Sequence, residues 1–271
     1  MSCSFSRTSV PRLLAASAFL LVSFCTSGLL AADSPLPKAT EVVARYDEAL
    51  GGRDAIHRHT SSTMRGTVEI FQPSGVVKLP FVYFAAAPYL RVEKVTLPNG
   101  AGDNMNGFDG TTSWGLDPRT GPQVDFGDDV QSAKRDADFY YPLDELTWFK
   151  SMETVGVEDF EGRPCYHLHG VNNWGKSNDH YYDRETGLLT AYEFQADPGL
   201  VHEIFSDWEK VDGVLVSMKQ TVKVKSKDGD WKVFRVVTYS SYTFNDVDPA
   251  VFAPPEGVRD LVAKSKPSAT P

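Results

Sequence analysis

The residues of this sequence best suited to chemistry are three side chains spaced two apart, Cys165, His167 and His169. On a β-strand, positions two apart point to the same face, so these side chains would form one row. Cysteine and histidine are typical zinc ligands, but neighbours in such a row lie about 6.5–7 Å apart and cannot converge on one ion without a further segment. The row therefore favours a structural role, and we predict no metal site.

Catalytic motifs are missing from the rest of the sequence. It has no Gly-X-Ser-X-Gly elbow, phosphate loop or Gly-X-Gly-X-X-Gly fingerprint, and His202-Glu203 lacks the second histidine of a zinc-protease helix. Carboxylates are numerous, as at Asp128-Asp129, but no spacing places two of them across a cleft or matches a calcium loop. We therefore predict that the protein is not an enzyme and uses no cofactor, and a hydrolase is the least favoured class.

The segments that carry these side chains are predicted to be strands joined by tight turns. Asp109-Gly110, Asp117-Pro118 and Asp212-Gly213 are turn dipeptides, because glycine tolerates positive φ and proline fixes φ near −65°. Asp228-Gly229 predicts a two-residue hairpin. Apolar and polar residues alternate from residue 62 onward, with a period of two. A short strand with Trp114 at its middle is predicted between the turns at Asp109-Gly110 and Asp117-Pro118. The other predicted strands cover residues 62–70, 75–86, 89–97, 153–159, 164–170, 179–182, 188–195, 201–208, 214–225 and 231–242.

Two segments have helical patterns instead. Residues 37–51 carry apolar residues at helical spacing and end at Gly51-Gly52. Residues 128–150 interrupt the strand pattern and are rich in aromatic residues, which indicates one or two short helices packed over the sheet as a lid. Prolines in residues 246–257 predict a wrap at the chain end, and we expect a flexible C-terminal tail over residues 258–271.

The N-terminal segment has the pattern of a secretory signal peptide. Arg7 and Arg12 are followed by residues 13–32 without a charge, ending in the small residues Ala31-Ala32. We therefore assign residues 1–32 to a signal peptide. The alternative is an uncleaved membrane tether, since about 20 apolar residues span a bilayer, but serines and Gly28 make this run polar for an anchor. Secretion across an inner membrane into a bacterial periplasm is the predicted location.

The mature chain would be acidic and free of disulfides. Cys165 is its single cysteine, and removing Arg7 and Arg12 leaves 25 basic residues against 36 acidic ones. This length suits one large β domain, which we place at residues 33–257. An acidic chain lacks the positive footprint that nucleic acids and anionic lipid surfaces attract, so we predict no nucleic-acid partner.

Several short motifs resemble those of the outer-membrane lipoprotein carriers of the LolA/LolB type. Pro88-Tyr-Leu-Arg91-Val is similar to the family's Pro-X-X-Phe-Arg-Trp strand, and Asp109-Gly-Thr-Thr-Ser-Trp114-Gly-Leu-Asp117-Pro118 is similar to its Asp-Gly-X-X-Leu-Trp-X-Tyr-Asp-Pro segment. Residues 182–189 and 207–213 resemble lipoprotein-sorting-like proteins of bacteria. This chain departs from the pattern at Leu90 and Val92, where the family has Phe and Trp, and at Ser113 and Leu116, where it has Leu and Tyr.

The resemblance implies a fold, a site and a lack of catalysis. The expected fold is mainly β (α+β), a curved antiparallel half-barrel with helices across its concave face and a cavity for acyl chains. Arg91 stands at the family's arginine position, which implies that it tethers the helical lid to the sheet.

We therefore predict a periplasmic carrier that binds a lipid or lipoprotein acyl chain, with an envelope membrane protein as a further partner. The alternative is an envelope sensor, or a module for a protein or peptide, on the same scaffold with a filled core. The expected cavity lining is apolar: Met64, Val68, Ile70, Leu90, Val92, Trp114, Val216, Met218 and Phe234 from strands, and Trp148 and Phe149 from the lid.

Overall fold

The computed structural model describes residues 35–197 and 199–265. The predicted signal peptide, residues 1–32, lies outside the described residues. Within them, 13 strands form a single antiparallel sheet. The strands are β1 Ser61–Gln72, β2 Gly75–Ala86, β3 Leu90–Thr96, β4 Asp103–Asp109, β5 Ser113–Asp117, β6 Gly121–Val124, β7 Phe149–Phe160, β8 Arg163–Asn172, β9 Ser177–Asp183, β10 Leu189–Gln195, β11 Leu200–Val211, β12 Val214–Lys225 and β13 Trp231–Phe244.

Helices occur at the start, in the middle and at the end of this part of the chain. They are α1 Ala39–Ala49, α2 Arg53–His57, α3 Asp128–Asp136, α4 Tyr141–Asp144 and α5 Glu256–Ser265, with 3-10 helices at Pro98–Gly100, Glu145–Trp148 and Pro249–Phe252. None of the helices in the described ranges has the length and apolar character needed to cross a membrane.

The order of strands across the sheet is β6-β5-β4-β3-β2-β1-β13-β12-β11-β10-β9-β8-β7. The chain enters at the middle with β1, runs outward to β6, crosses through α3 and α4 to the opposite edge at β7, and returns until β13 pairs with β1. The sheet is curved, and its two edge strands stay apart, so the barrel is not closed. The predicted curved half-barrel is confirmed.

The hairpins follow the turn residues of the sequence. Between β11 and β12, Asp212 and Gly213 both have positive φ, 45° and 90°. Two-residue hairpin turns of this kind match the right-handed twist of the paired strands, and aspartate and glycine are the residues that accept the required φ values. Asp109 caps the three-residue turn between β4 and β5, because its Oδ1 accepts hydrogen bonds from the backbone N–H groups of Thr111 and Thr112 at 2.9 and 2.7 Å.

The concave face of the sheet is defined by cross-strand neighbours. Met64 of β1 is paired with Tyr83 of β2 and with Tyr242 of β13, so these three side chains share one face. Helices α1 and α2 pack over this face, where Val42, Val43 and Tyr46 join strand residues in the largest core cluster. The apolar stripe of α1 is therefore used for packing on the sheet.

The segment between β6 and β7 adds the rest of the cover. Ala133 of α3 and Ala137 just after it form a buried cluster with Phe108, which is paired with Arg91 and lies on the concave face. Helix α4 and the 3-10 helix Glu145–Trp148 complete the crossing. The prediction of one or two short helices at residues 128–150 is thus confirmed.

The convex face has a cover of its own. Helix α5 and the preceding 3-10 helix pack there, and Phe252 and Val258 form a buried cluster with Val92 and Trp114. The expectation of a flexible tail from residue 258 is therefore wrong as far as Ser265, because Val258 is fully buried in this cluster. Residues 266–271 lie outside the described residues.

Candidate functional site

A cavity of about 760 Å³ lies between the concave face and its helical cover. Each of the first four helices contributes to its lining, through Tyr46 of α1, Ile56 of α2, Arg135 of α3 and Tyr141 of α4. Ligand pockets of proteins typically measure about 300–1,000 Å³. The helices and the sheet therefore leave enough space between them for a small amphiphilic molecule.

One end of the cavity is apolar and closed. Its lining there consists of residues from α1, α2, β1, β12 and β13, most of them buried: Tyr46, Leu50, Ile56, Met64, Val214, Val216, Tyr242 and Phe244. Trp208 of β11 stands beside Tyr46, with ring centroids 6.5 Å apart at an angle of 82°. An acyl chain in this end would contact side chains that resemble it in polarity.

The other end of the cavity opens to solvent. Four lining residues there are exposed, Lys176 and Ser177 at the start of β9 and Gln195 and Asp197 at the end of β10. Antiparallel pairing of Phe194 with Asn178 puts these strand ends at the same end of the sheet. We call this opening, formed by residues 174–177 and 195–197, the mouth.

A belt of charged side chains crosses the cavity. Arg235 of β13 donates from Nη1 to Glu93 Oε1 of β3 at 3.2 Å, across the intervening strands β1 and β2. Glu203 of β11 accepts a hydrogen bond from Gln220, and Arg135 of α3 donates from Nη2 to its neighbour Asp136 at 2.8 Å. Burial raises the pKa of Glu203, although Arg235 opposes the shift. The cavity is therefore less apolar than the sequence predicted.

Arg91 connects this belt to the lid. Its Nη2 donates to Asn106 Oδ1 on the adjacent strand at 3.1 Å, while its Nε has no hydrogen-bond partner among the described residues. Burial works against the charged form, but Tyr83, Asp136 and Glu93 outweigh it and raise the pKa of Arg91. Because Asp136 belongs to α3, the guanidinium interacts electrostatically with the helical cover as well as with the sheet.

A buried polar network fixes the lid to the opposite half of the sheet. Glu145, fully buried in the 3-10 helix before β7, accepts hydrogen bonds from the Tyr182 hydroxyl at 2.6 and 2.7 Å, and its Oε1 lies 2.5 Å from His180 Nδ1. Burial, together with the Glu145 charge, raises the pKa of Tyr182 well above its ordinary value. His180 and Tyr192 of the neighbouring strand also line the cavity.

The predicted site residues on the cavity side of the sheet divide into three groups. Met64, Val216 and Arg91 line the cavity. Val68 and Ile70 continue the same face beyond it, in a cluster with Leu79, Phe81 and Val237. The others pack around the helical cover: Met218 lies in the core cluster under α1 and α2, Phe149 is buried against His180, and Trp148 donates from Nε1 to Asp138 at 2.8 Å.

Four predicted lining residues lie elsewhere. Leu90, Val92 and Trp114 belong to the convex-face cluster beneath α5, and Phe234 is exposed at a register irregularity of β13. Trp114 packs closely against its paired residue Gly107, where a Cβ would meet the indole ring at 2.5 Å. These assignments are corrected because both faces of the sheet are covered here, so an apolar residue on β3 or β5 can be buried on either side.

Sequence reasoning also missed residues that line the cavity. They include the tyrosines Tyr83, Tyr239 and Tyr242 and the polar side chains Glu93, Glu203, Gln220 and Arg235. One signal was present in the sequence: Gln220 and Arg235 interrupt the apolar alternation of two otherwise regular strands. A polar residue on the apolar face of a strand indicates either a partner in the interior or a functional cavity.

The Cys165, His167 and His169 row lies on the convex face. His167 is held between Glu158 Oε1 and Asp179 Oδ1, each 2.8 Å from one of its ring nitrogens, and His169 contacts the same Asp179 oxygen. Although burial opposes it, these hydrogen bonds raise the pKa of His167. Within residues 35–197 and 199–265, no cluster of three or more His, Cys, Asp or Glu side chains is arranged to hold a metal ion.

Comparison with known proteins rests on structure. No family model matches the sequence, and no curated protein matches it. A LolA superfamily protein from Nitrosomonas europaea is 12% identical, with 81% of this chain and 99% of that chain covered and a TM-score of 0.57. A DUF1329 family protein from Desulfovibrio piger is 14% identical, with 79% and 96% covered and a TM-score of 0.57.

A third solved structure, a domain from Vibrio parahaemolyticus assigned to outer membrane lipoprotein sorting, is 11% identical. It matches with 79% of this chain and 94% of that chain covered and a TM-score of 0.54. The chain has a LolA-like fold. At such low identity the likeness concerns the LolA-like fold itself, and it agrees with the motifs around Arg91 and Trp114 that first suggested the family.

Proposed function

We propose that this protein is a non-catalytic carrier of the bacterial periplasm that binds a lipid or a lipoprotein acyl chain in its cavity. The observation that carries the proposal is the space itself, about 760 Å³ with an apolar closed end beneath α1 and α2. A LolA-like fold, shared with a domain assigned to lipoprotein sorting, supports the choice of ligand.

Apolar burial can supply the affinity for such a ligand. Each CH₂ group moved from water into an apolar site contributes about 0.8 kcal/mol, so a chain of ten such groups would contribute roughly 8 kcal/mol before the cost of ordering. The side chains at the closed end, among them Met64 and Val216, provide the apolar surface. The charged belt near Arg91 and Arg235 would face the polar part of the ligand.

A carrier has to receive its ligand at one membrane and release it at another. We therefore propose that the partners of this protein are the ligand and an envelope membrane or a protein embedded in it. The N-terminal pattern of residues 1–32 supports export from the cytoplasm, and the same pattern would tether the protein to the inner membrane if it were not cleaved.

The direct test is to identify what the purified protein contains. The mature chain, residues 33–271, is produced in the periplasm of a bacterial host and studied by native mass spectrometry and by solvent extraction. We expect a bound lipid or acylated species that is released on denaturation. A preparation that is free of acyl compounds and takes up no fatty acid, lysophospholipid or acylated peptide would contradict the carrier function. A stable complex with a protein or peptide under those conditions would instead favour a sensor.

A further inference from the structure

One end of the sheet carries an exposed apolar surface. Val76 and Phe234 are 54% and 53% exposed, and Phe71 and Val77 are also exposed. Phe71 is paired with Val76, and Ile70 is paired with both Val77 and Arg235, the neighbour of Phe234. Phe71 and Val76 therefore share the convex face, Val77 lies on the opposite face, and Phe234 lies at the neighbouring start of β13, so the four side chains mark one end of the sheet. We call Phe71, Val76, Val77 and Phe234 the apolar tip.

The apolar tip lies at the same end of the sheet as the cavity mouth. Strand β13 begins beside the tip, where Trp231 is paired with Lys225 at the end of β12. Val224 of β12 is paired with Val201 at the start of β11, and Leu200 with Gln195 at the mouth. A continuous rim of strand ends thus connects the tip to the opening through which a ligand would pass.

The β12–β13 hairpin beside the tip differs in charge from the rest of the protein. Residues 214–244 contain six basic and two acidic residues, and two of the basic ones, Lys223 and Arg235, pair with Glu161 and Glu93 outside the hairpin, whereas the whole chain has a net charge of −9. Lys225 lies 5.6 Å from the centroid of the Trp231 ring, and within the described residues neither Lys227 nor Lys232 forms an ion pair. This hairpin therefore presents free positive charge around an apolar patch.

We propose that the apolar tip and the lysines Lys225, Lys227 and Lys232 dock the protein, mouth first, on the surface of an anionic lipid bilayer. The apolar side chains enter the interfacial region of the bilayer. The lysine ammonium groups interact with anionic headgroups, and each lysine contributes about 1 kcal/mol near such a surface. The acidic remainder of the chain is repelled, which orients the molecule. Net charge alone indicates that an acidic chain does not attract anionic lipid surfaces. The docking surface refines that expectation, because only the charges close to the bilayer determine the attraction.

A bilayer fits this surface better than a protein does. A stable protein–protein interface buries about 1,200–2,000 Å² in total, which is more than four side chains and their neighbours expose. A bilayer requires no matching shape, and a few apolar side chains with adjacent lysines are sufficient for reversible binding. Docking at this end would let a lipid move between the bilayer and the cavity without crossing water. The docking proposal extends the proposed carrier function, but docking itself does not require a bound ligand.

The test uses the mature chain and sedimentation with vesicles of phosphatidylcholine containing one-third phosphatidylglycerol. The double variant Val76→Ser and Phe234→Ser should lower the partition coefficient about tenfold, because two apolar side chains are lost from the interface. Its control is Val155→Ser and Val157→Ser, two exposed valines of the edge strand β7, and this variant should bind like the wild type. Melting temperatures verify that all variants are folded.

A second pair of variants tests the charges. Lys227→Gln with Lys232→Gln should weaken binding to the anionic vesicles by about twentyfold to thirtyfold, and Lys210→Gln, an exposed lysine of β11, should not. Failure of the folded wild type to bind these vesicles, or equal loss in the tip and control variants, would overturn the proposal. Copurifying lipid together with no vesicle binding would leave the carrier function standing and refute the docking surface alone.

Discussion

At the level of single residues, Arg91 interacts with groups of both the sheet and the lid. Its Nη2 donates to Asn106 on the sheet, and its charge interacts with Asp136 of the lid helix α3. The motif around Arg91 suggested a tether between sheet and lid. The electrostatic interaction between Arg91 and Asp136 supports the proposal that Arg91 is this tether.

The tether makes a prediction about kinetics. Arg91→Leu removes the charge that interacts with Asp136, so the lid should open more often, and release of a bound fluorescent fatty acid should become about five to ten times faster. The free energy of unfolding should fall by less than about 1 kcal/mol if the tether acts mainly on the lid. Arg91→Lys keeps the charge and should release the ligand at an intermediate rate. A loss of stability that fully accounts for faster release would argue against the tether.

Asp47 of α1 predicts a pH dependence of stability. Its side chain is nearly buried, Oδ1 has no partner within the described residues, and Arg53 lies 3.7 Å from Oδ2. Burial raises its pKa from 3.8 to about 6 despite Arg53. A raised carboxyl pKa means that the folded state holds the proton more tightly than the unfolded state does. The Asp47 contribution to stability is therefore most favourable below about pH 4 and is lost as pH rises through 6.

Asp47→Asn should consequently stabilise the protein at neutral pH. We expect a gain of about 1–3 kcal/mol in the free energy of unfolding at pH 7.5, since the buried charge is removed, and no gain at pH 4. Urea denaturation at the two pH values measures the difference. Asp54→Asn, an exposed aspartate of α2, is the control and should change stability by less than about 0.5 kcal/mol at either pH. Equal effects of Asp47→Asn at both pH values would refute the burial argument.

At the level of elements, two identical Asp-Gly dipeptides form different hairpin turns. Asp212-Gly213 forms the predicted turn as a two-residue hairpin, with positive φ at both residues. Asp228-Gly229 does not, because β12 ends at Lys225 and β13 begins at Trp231, and the loop is closed by hydrogen bonds from Gly229 N to Ser226 O and from Ser226 N to Asp230 O.

Helix α5 is an element that the sequence pattern failed to predict. Prolines before it and the position at the chain end suggested a frayed segment, but Phe252 and Val258 complete a convex-face cluster with Val92 and Trp114. Covering the outer face in this way explains why β3 and β5 carry apolar residues on the side away from the cavity. The helix is therefore part of the domain core.

The contribution of α5 can be measured with one substitution. Val258→Ala removes two methyl groups from a fully buried site, so the free energy of unfolding should fall by about 1–3 kcal/mol. Asp260→Ala on the exposed side of the same helix is the control and should have little effect. Chemical denaturation of both variants measures the values. If the two variants were equally stable, α5 would not be packed on the sheet in solution.

At the scale of the whole molecule, the space under the lid is the property on which the carrier function depends. Met64 and Thr67 lie on the same strand, with Met64 facing the cavity and Thr67 on the other face of the sheet. Met64→Trp should fill part of the cavity and reduce acyl-chain binding at least tenfold, measured by titration with a fluorescent fatty acid. Thr67→Trp adds comparable bulk outside the cavity and should leave the affinity within twofold of the wild type. Equal affinities of the two variants would place the ligand elsewhere.

How far the candidate site was predictable depends on the face of the sheet. Alternation along β1 correctly grouped Met64, Val68 and Ile70 on one face, since that grouping follows from strand geometry alone. On β3 the same rule favoured Leu90 and Val92 for the cavity, yet Arg91 and Glu93 line it instead. The rule assumes that one face is solvated, and it fails where α5 covers the convex face and the charged belt crosses the concave face.

The sequence by itself determined the local features of this protein: an initial amphipathic helix, a long series of hairpins, and a short helical interruption at residues 128–150. These follow from periodicity and turn residues, which are properties of neighbours along the chain. The tertiary structure alone decided that β1 pairs with β13, which face curves inward, and that side chains as distant as Glu93 and Arg235 meet over the cavity. Such contacts depend on the register and the twist of every strand in the 13-stranded sheet. A pattern of neighbouring residues does not determine them.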